Sequence, residues 1–162
     1  MLLTVISSSF TRPADTVAYA IGDLIANSTT AGSVLPMSFP VNGMSGTGQT
    51  IVLRTRLSKS NTSAANASFR LHLYEAAPVV ANGDNGAWST SKAANYLGNI
   101  DVSSMFAFTD GCTGYGAAAA GAEMRMRLSA GTTLYGLLEA RAAYTPGNAE
   151  SFTVYLECLD SY

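Results

Sequence analysis

Four segments of this chain alternate apolar and polar residues with a period of two, and this pattern constrains the fold more than any other feature. In IVLRTRLSK, Leu53, Thr55 and Leu57 oppose Arg54, Arg56 and Ser58. In SFRLHLYE, Phe69, Leu71 and Leu73 oppose Arg70, His72 and Tyr74. EMRMRLS sets Met124, Met126 and Leu128 against Glu123, Arg125 and Arg127, and SFTVYLECL sets Phe152, Val154, Leu156 and Cys158 against Ser151, Thr153, Tyr155 and Glu157. Such spacing puts successive side chains on opposite faces of an extended chain, so each segment is expected as a half-buried antiparallel strand.

TTLYGLLEAR (132–141) is apolar on both faces and predicts a central strand covered on each side. Further strand candidates are LLTVI, AYAIGDLIAN (18–27), YLGNIDV (96–102) and VLPMSFPV (34–41), whose prolines place it at an edge. Turn-forming clusters separate them: NSTTAGS, NGMSGTG (42–48), SKSNTSAAN, NGDNG, SAGT (129–132) and TPGN. GAAAAGAE (116–123), with glycines at its ends and no large apolar residue, reads as a small-residue loop. No segment carries a sustained helical stripe. The expectation is an all-β chain, an antiparallel β-sandwich or barrel of roughly eight to ten strands. Residues 1–15 form an extended N-terminal segment or first strand, and 16–162 a single β-sandwich domain.

At 162 residues the chain is long enough to bury about two thirds of its unfolded surface without staples. Cys112 and Cys158 stand far apart, outside any CxxC or histidine-paired pattern, and read as small buried or half-buried apolar residues. The N-terminus lacks the basic region and long apolar run of a secretory leader or membrane span, so it is read as mature protein. Charged residues make up only 12% of the chain, against about 25% in ordinary domains. With a net charge of −2 there is no basic excess to draw nucleic acid. A surface of small uncharged polar residues suits a protein docked against others, because interface centres are depleted in charge.

Three motifs invite a chemical reading and fall short of it. NGMSGTGQT places Gly43, Gly48 and Thr50 as in a phosphate-binding loop, but Gln49 stands where the lysine belongs and a strand follows in place of a helix. ANGDNGAW offers a calcium ion the single carboxylate of Asp84, and reads better as a turn before Trp88. Trp88 is then expected to pack over an end of the sandwich, with its indole N–H on a carbonyl. His72, the only histidine, shares a strand face with Arg70 and Tyr74, while Glu75 points the other way, so no orienting acid is adjacent in sequence. No catalytic, cofactor-binding or metal-binding residue is assigned.

The cations are more informative as a set. Arg54, Arg56, Lys59, Arg70, Arg125 and Arg127 lie on or just beyond the polar faces of three strands. If those strands are neighbours the faces join into a basic stripe suited to the carboxylates of a protein partner; otherwise the arginines keep a sheet face soluble and pair with Glu123 and similar acids.

FTRPADTVAYAIGDLIANSTTAGS (10–33), ASFRLHLYEAAPVVANGDNGAW (67–88), YLGNID (96–101) and TLYGLLEARAAYTPGNAESFTVYLE (133–157) together resemble a family of small virion proteins of tailed bacteriophages, encoded beside the major capsid protein. The resemblance covers nearly the whole chain and rests on no catalytic motif. It implies a capsid decoration or cement protein with a jelly-roll sandwich and no enzymatic activity or cofactor. Its partners would be the major capsid protein and further copies of itself, as homodimer or homotrimer, with neither nucleic acid nor membrane. It would be made in the host cytoplasm and sit on the capsid exterior, with residues 1–15 as an arm toward a neighbour. Candidate docking residues are Arg12, Arg54, Arg56, Arg70, His72, Arg125 and Arg127. Two other classes remain open: a receptor- or carbohydrate-binding module using Trp88, Tyr96 and Tyr115, and a β-barrel hydrolase, for which one histidine and scattered acids assemble no triad.

Overall fold

Strands that bury every second residue need a second apolar face to bury against, and here two antiparallel sheets supply it to each other. The computed structural model describes residues 2–41, 48–89, 94–128 and 132–161, with the backbone alone described at 48, 126–128 and 161. Its strands are β1 (Leu2–Thr11), β2 (Leu24–Ile25), β3 (Met37–Pro40), β4 (Gly48–Lys59), β5 (Phe69–Tyr74), β6 (Tyr96–Val102), β7 (Phe106–Phe108), β8 (Gly111–Ala117), β9 (Met124–Leu128), β10 (Thr133–Ala140) and β11 (Ser151–Ser161). The first sheet runs β1-β11-β4-β8-β7, with β9 also on β4; the second runs β2-β10-β5-β6, with β3 also on β10. Counting β2 with β3, and β7 and β8 with β9, this is a jelly roll, its four-strand sheets wound as two Greek keys. Gly43 and most of the turns expected at 42–48 and 129–132 lie outside the described residues.

Phe69, Leu71, Leu73, Leu134, Leu138, Phe152, Val154 and Leu156 fill the space between the sheets, each essentially without exposure. Burying side chains of this size contributes about 1.5–3 kcal/mol each. Phe69 meets both Phe152 and Tyr144 edge-on, at 5.6 and 5.2 Å between centroids. A smaller cluster lies outside the second sheet, where Leu24, Ala26, Tyr74 and Leu137 pack with Val34, Val80, Trp88 and Tyr96. It gives β10 its second cover, as the apolar run of TTLYGLLEAR predicts.

Three expectations need correction. Leu53 is 41% exposed, because the pairing of β4 with β11 shifts between Glu157 and Cys158 and leaves it as the extra residue of a bulge. The phase of β4 changes there, so Thr50 and Val52 are buried before the bulge and Thr55 and Leu57 after it. The bulge also marks a change of neighbour: β9 pairs through Val52 and β8 from Arg54 onward. Second, β8 was not legible as a strand, because three of its seven residues are glycine. A Cβ on Gly116 would lie 2.1 Å from the Asp101 carbonyl oxygen, so the close approach of β6 requires glycine. Third, Lys59 is interior: its ammonium lies 3.3 Å from Glu150, donates to the Asn61 and Ser63 carbonyls, and sits over the Tyr144 ring.

Candidate functional site

Of the three arginine-bearing strands, β4 and β9 are neighbours in the first sheet, whereas β5 belongs to the second. The basic stripe therefore divides. Arg54, Arg56 and Arg125 are on the outside of the first sheet, Arg70 is on the outside of the second, and the side chain of Arg127 lies outside the described residues.

The register lays out the outer face of the first sheet row by row. Tyr115, Arg56, Tyr155 and Ser7 form one row across β8, β4, β11 and β1; Ala117, Arg54, Glu157 and Val5 form the next. Phe106 on β7 continues a hydroxyl row of Thr113, Ser58, Thr153 and Ser9, in which Ser58 bonds Thr113 and Ser9 bonds Thr153. Arg54 grips Glu157 through two nitrogens, at 2.6 and 2.9 Å, which holds that carboxyl below the usual carboxylate range. The guanidinium of Arg56 lies 3.8 Å from the Tyr155 ring centroid, and neither Arg56 nor Arg125 pairs with a carboxylate among the described residues. Phe106, Phe108 and Tyr115 are 62%, 57% and 50% exposed. Large aromatics, arginines and short hydroxyls thus share one face with a single acid, Glu157, in these rows.

Arg12 and His72, both expected at a docking surface, are interior. Arg12 donates to the Tyr19 hydroxyl, the Asp15 carboxylate and the Asp84 carboxylate, and Asp84 also accepts from Tyr19 and the Ala26 amide. The network bolts the segment after β1 and the loop before Trp88 onto the body. Burial pushes the Tyr19 hydroxyl well above its ordinary value, so it stays protonated and donates to Asp84.

His72 has found an acid on the adjacent strand β10, 67 residues further along the chain. Its Nε2 is 2.6 Å from Glu139 Oε2, its Nδ1 is 3.0 Å from the Tyr96 hydroxyl, and Trp88 stacks on the ring at 3.6 Å between centroids. Burial pushes the imidazole below its ordinary value. The neutral tautomer satisfies the network: Nε2–H donates to Glu139, Nδ1 accepts from Tyr96, and Tyr96 accepts from Asn99. Burial opposes the charge on Glu139, but bonds from His72 and Arg141 outweigh it and hold the carboxyl low. Both ring nitrogens are occupied, and no serine, threonine or cysteine bonds His72 among the described residues. Nor does any group of three or more His, Cys, Asp or Glu stand ready to hold a metal among them.

Trp88 departs from expectation in place and in bonding. It covers the outer face of the second sheet, and its buried indole nitrogen has no hydrogen-bond partner among the described residues. Tyr96 lies 6.2 Å from it, but Tyr115 is on the other sheet, so the proposed aromatic trio does not assemble. Nothing in the sequence pointed to Glu139 as the partner of the buried His72, or to Asp84, Tyr19 and Glu150 as partners of the buried cations Arg12 and Lys59. Cys112 and Cys158 are free and buried as expected, and burial raises the Cys158 thiol to about 11.

No protein-family model matches the chain, and no curated protein does either. Among solved structures it is similar to the virus-like particle of the giant freshwater prawn extra small virus, with 10% identity, TM-score 0.33, and 98% of this chain and 76% of that one covered. It is similar to a carbohydrate-binding module of a Cellvibrio mixtus lichenase, with 12% identity, TM-score 0.35 and both chains covered fully. The capsid of cyanophage Pam1 is a third, with 13% identity, TM-score 0.29 and coverage of 96% and 84%. Likenesses this distant carry no functional assignment. No helix among the described residues is long and apolar enough to cross a membrane.

Proposed function

We propose that this chain is a structural virion protein that binds the outer surface of an icosahedral phage capsid and bridges and stabilises neighbouring major capsid protein subunits. The observation that carries the reading is the outer face of the first sheet, where Phe106, Phe108 and Tyr115 are exposed beside Arg54 and Arg56. Aromatics and arginine are the residues enriched at protein interfaces, and a guanidinium without its own carboxylate is available to a partner's. Low overall charge removes the repulsion that would oppose dense packing of copies on a shell. Binding to the assembled lattice alone stabilises that lattice by mass action, and symmetry-related contacts add avidity. In this reading the protein catalyses nothing, is made in the host cytoplasm and resides on the capsid exterior. The test is thermal: capsids lacking the protein rupture at a lower temperature and at higher residual salt than capsids to which it has been added. Identical rupture curves with and without it would remove the reading.

A second reading has one observation in its favour. Trp88 stands 6.2 Å from Tyr96 over the outer face of the second sheet, which also carries the Arg70–Asp101 pair, and aromatic rings on a face with charged side chains suit a sugar ring. Retention of the isolated protein on a glycan array, lost in Trp88→Ala, would favour it; no retention on any glycan would exclude it.

A further inference from the structure

Strand β1 ends the first sheet, and its free edge lacks the features that keep edges from pairing. Its ten residues, LLTVISSSFT, contain no charge and no proline, and their register with β11 is unbroken from Leu2 opposite Asp160 to Thr11 opposite Ser151. Natural edges are blunted by shortness, proline, charge or bulges. The other edges here are: β7 has three residues, β2 two, β3 four with a terminal proline, β9 carries Arg125 and Arg127, and β6 carries Asp101 and a register break. Inner-facing neighbours on β11, from Phe152 to Asp160, are fully buried, whereas Leu2, Thr4, Ile6, Ser8 and Phe10 on β1 are all partly open. Ile6 and Phe10 extend the main core to this flank, where it stops uncovered.

Those five inner-facing residues read large apolar, hydroxyl, large apolar, hydroxyl, large apolar, the same in both directions about Ile6. We propose that this edge pairs with β1 of a second copy of the chain, antiparallel, on a two-fold axis through Ile6. An isologous interface must be self-complementary, and this register meets that demand at every inner-facing position. Leu2 faces the second copy's Phe10, Thr4 faces its Ser8, and Ile6 faces its own counterpart. On the outer side Val5 faces Ser7 and Leu3 faces Ser9. The two-fold through Ser7 instead sets Phe10 against Thr4 and Ile6 against Ser8, and odd registers mate inner residues with outer ones. A charged edge would meet its own charge across the axis; this one has none. Strand β3 lies close beside β1, with the Ser38 amide donating to Ser8 Oγ, but no backbone hydrogen bond joins the two among the described residues. The pairing joins the first sheets of two molecules into one continuous sheet and is independent of capsid binding.

Sedimentation velocity over a dilution series tests it, because a single strand pair is small beside a standard interface and dissociates at roughly micromolar concentration. The expected mass is twice that of the chain at about 100 μM, falling toward one chain on dilution. Under oxidation Ile6→Cys cross-links across the axis, where paired Cα atoms are about 4.5–5.5 Å apart, within disulfide range. Ser9→Cys does not, because its counterpart is displaced by six residues, about 20 Å. The native cysteines are buried and leave the readout clean. A monomer at every concentration, a trimer, or equal cross-linking of both variants would overturn the proposal, and sedimentation of the unmodified chain decides it even if a variant folds poorly.

Discussion

His72 shows how a residue's role is set by what folds onto it. Trp88 lies on one face of its ring, and Glu139 and Tyr96 hold its nitrogens, so the imidazole stays neutral inside the fold. Because burial places its folded value below the ordinary value of about 6.5, the unfolded chain binds more protons as pH falls through that range. Stability is therefore full at neutral pH and declines on acidification. Asp101 is held low by its bond from Arg70, and Glu139 by His72 and Arg141, so both titrate below this window. Between pH 7.5 and 5.5 the melting temperature should fall by about 2–4 °C more in the parent than in His72→Gln, which keeps a donor for Glu139 and cannot titrate. Equal falls in both proteins would contradict the neutral, buried assignment. The strand alternation around His72 was legible, but its burial was not. What hides it is a loop packed on the far face of the sheet, and no local period encodes that. The same holds for Arg12 and Lys59, whose carboxylate partners Asp84 and Glu150 are 72 and 91 positions away.

At the scale of elements, the legible strands were those whose pattern reports a face in contact with a uniform neighbour. Segments β5, β10 and β11 fit that description, and their inner residues are the core. Strand β4 has two partners along one edge, and the bulge at Leu53 accommodates the change, so the alternation read straight through it misplaced one leucine. In β8 the constraint is the opposite of a side-chain pattern: the approach of the Asp101 carbonyl leaves no room for a side chain at Gly116. Gly116→Ala should therefore destabilise the protein by about 1–3 kcal/mol in urea denaturation. Gly32→Ala, with nothing within 4 Å of its added methyl group, should change stability by about 0.5 kcal/mol or less. Similar losses at the two positions would show that β6 does not approach β8 as described.

At the scale of the whole molecule, the jelly roll divides its work between two outer faces. The second sheet is capped by its own loops and a small core of Leu24, Tyr74, Leu137 and Trp88, which leaves little of β10 to an outside partner. Among the described residues the first sheet has no such cover and presents aromatics, arginines and hydroxyls directly. Composition announced a low-charge surface, and the alternating segments announced a sandwich. Neither could say which polar face would stay open, because that depends on which loops fold back over which sheet. Capsid binding through this face is tested by co-sedimentation with phage capsids lacking this protein, comparing the parent with a Phe108→Ser, Tyr115→Ser double variant. Both side chains are more than half-open or nearly so, and the variant should melt at the parent's temperature. The parent should pellet with capsids to saturation, and the variant should bind at least about tenfold more weakly. A parent that remains in the supernatant, or a variant that pellets as tightly as the parent, would contradict it.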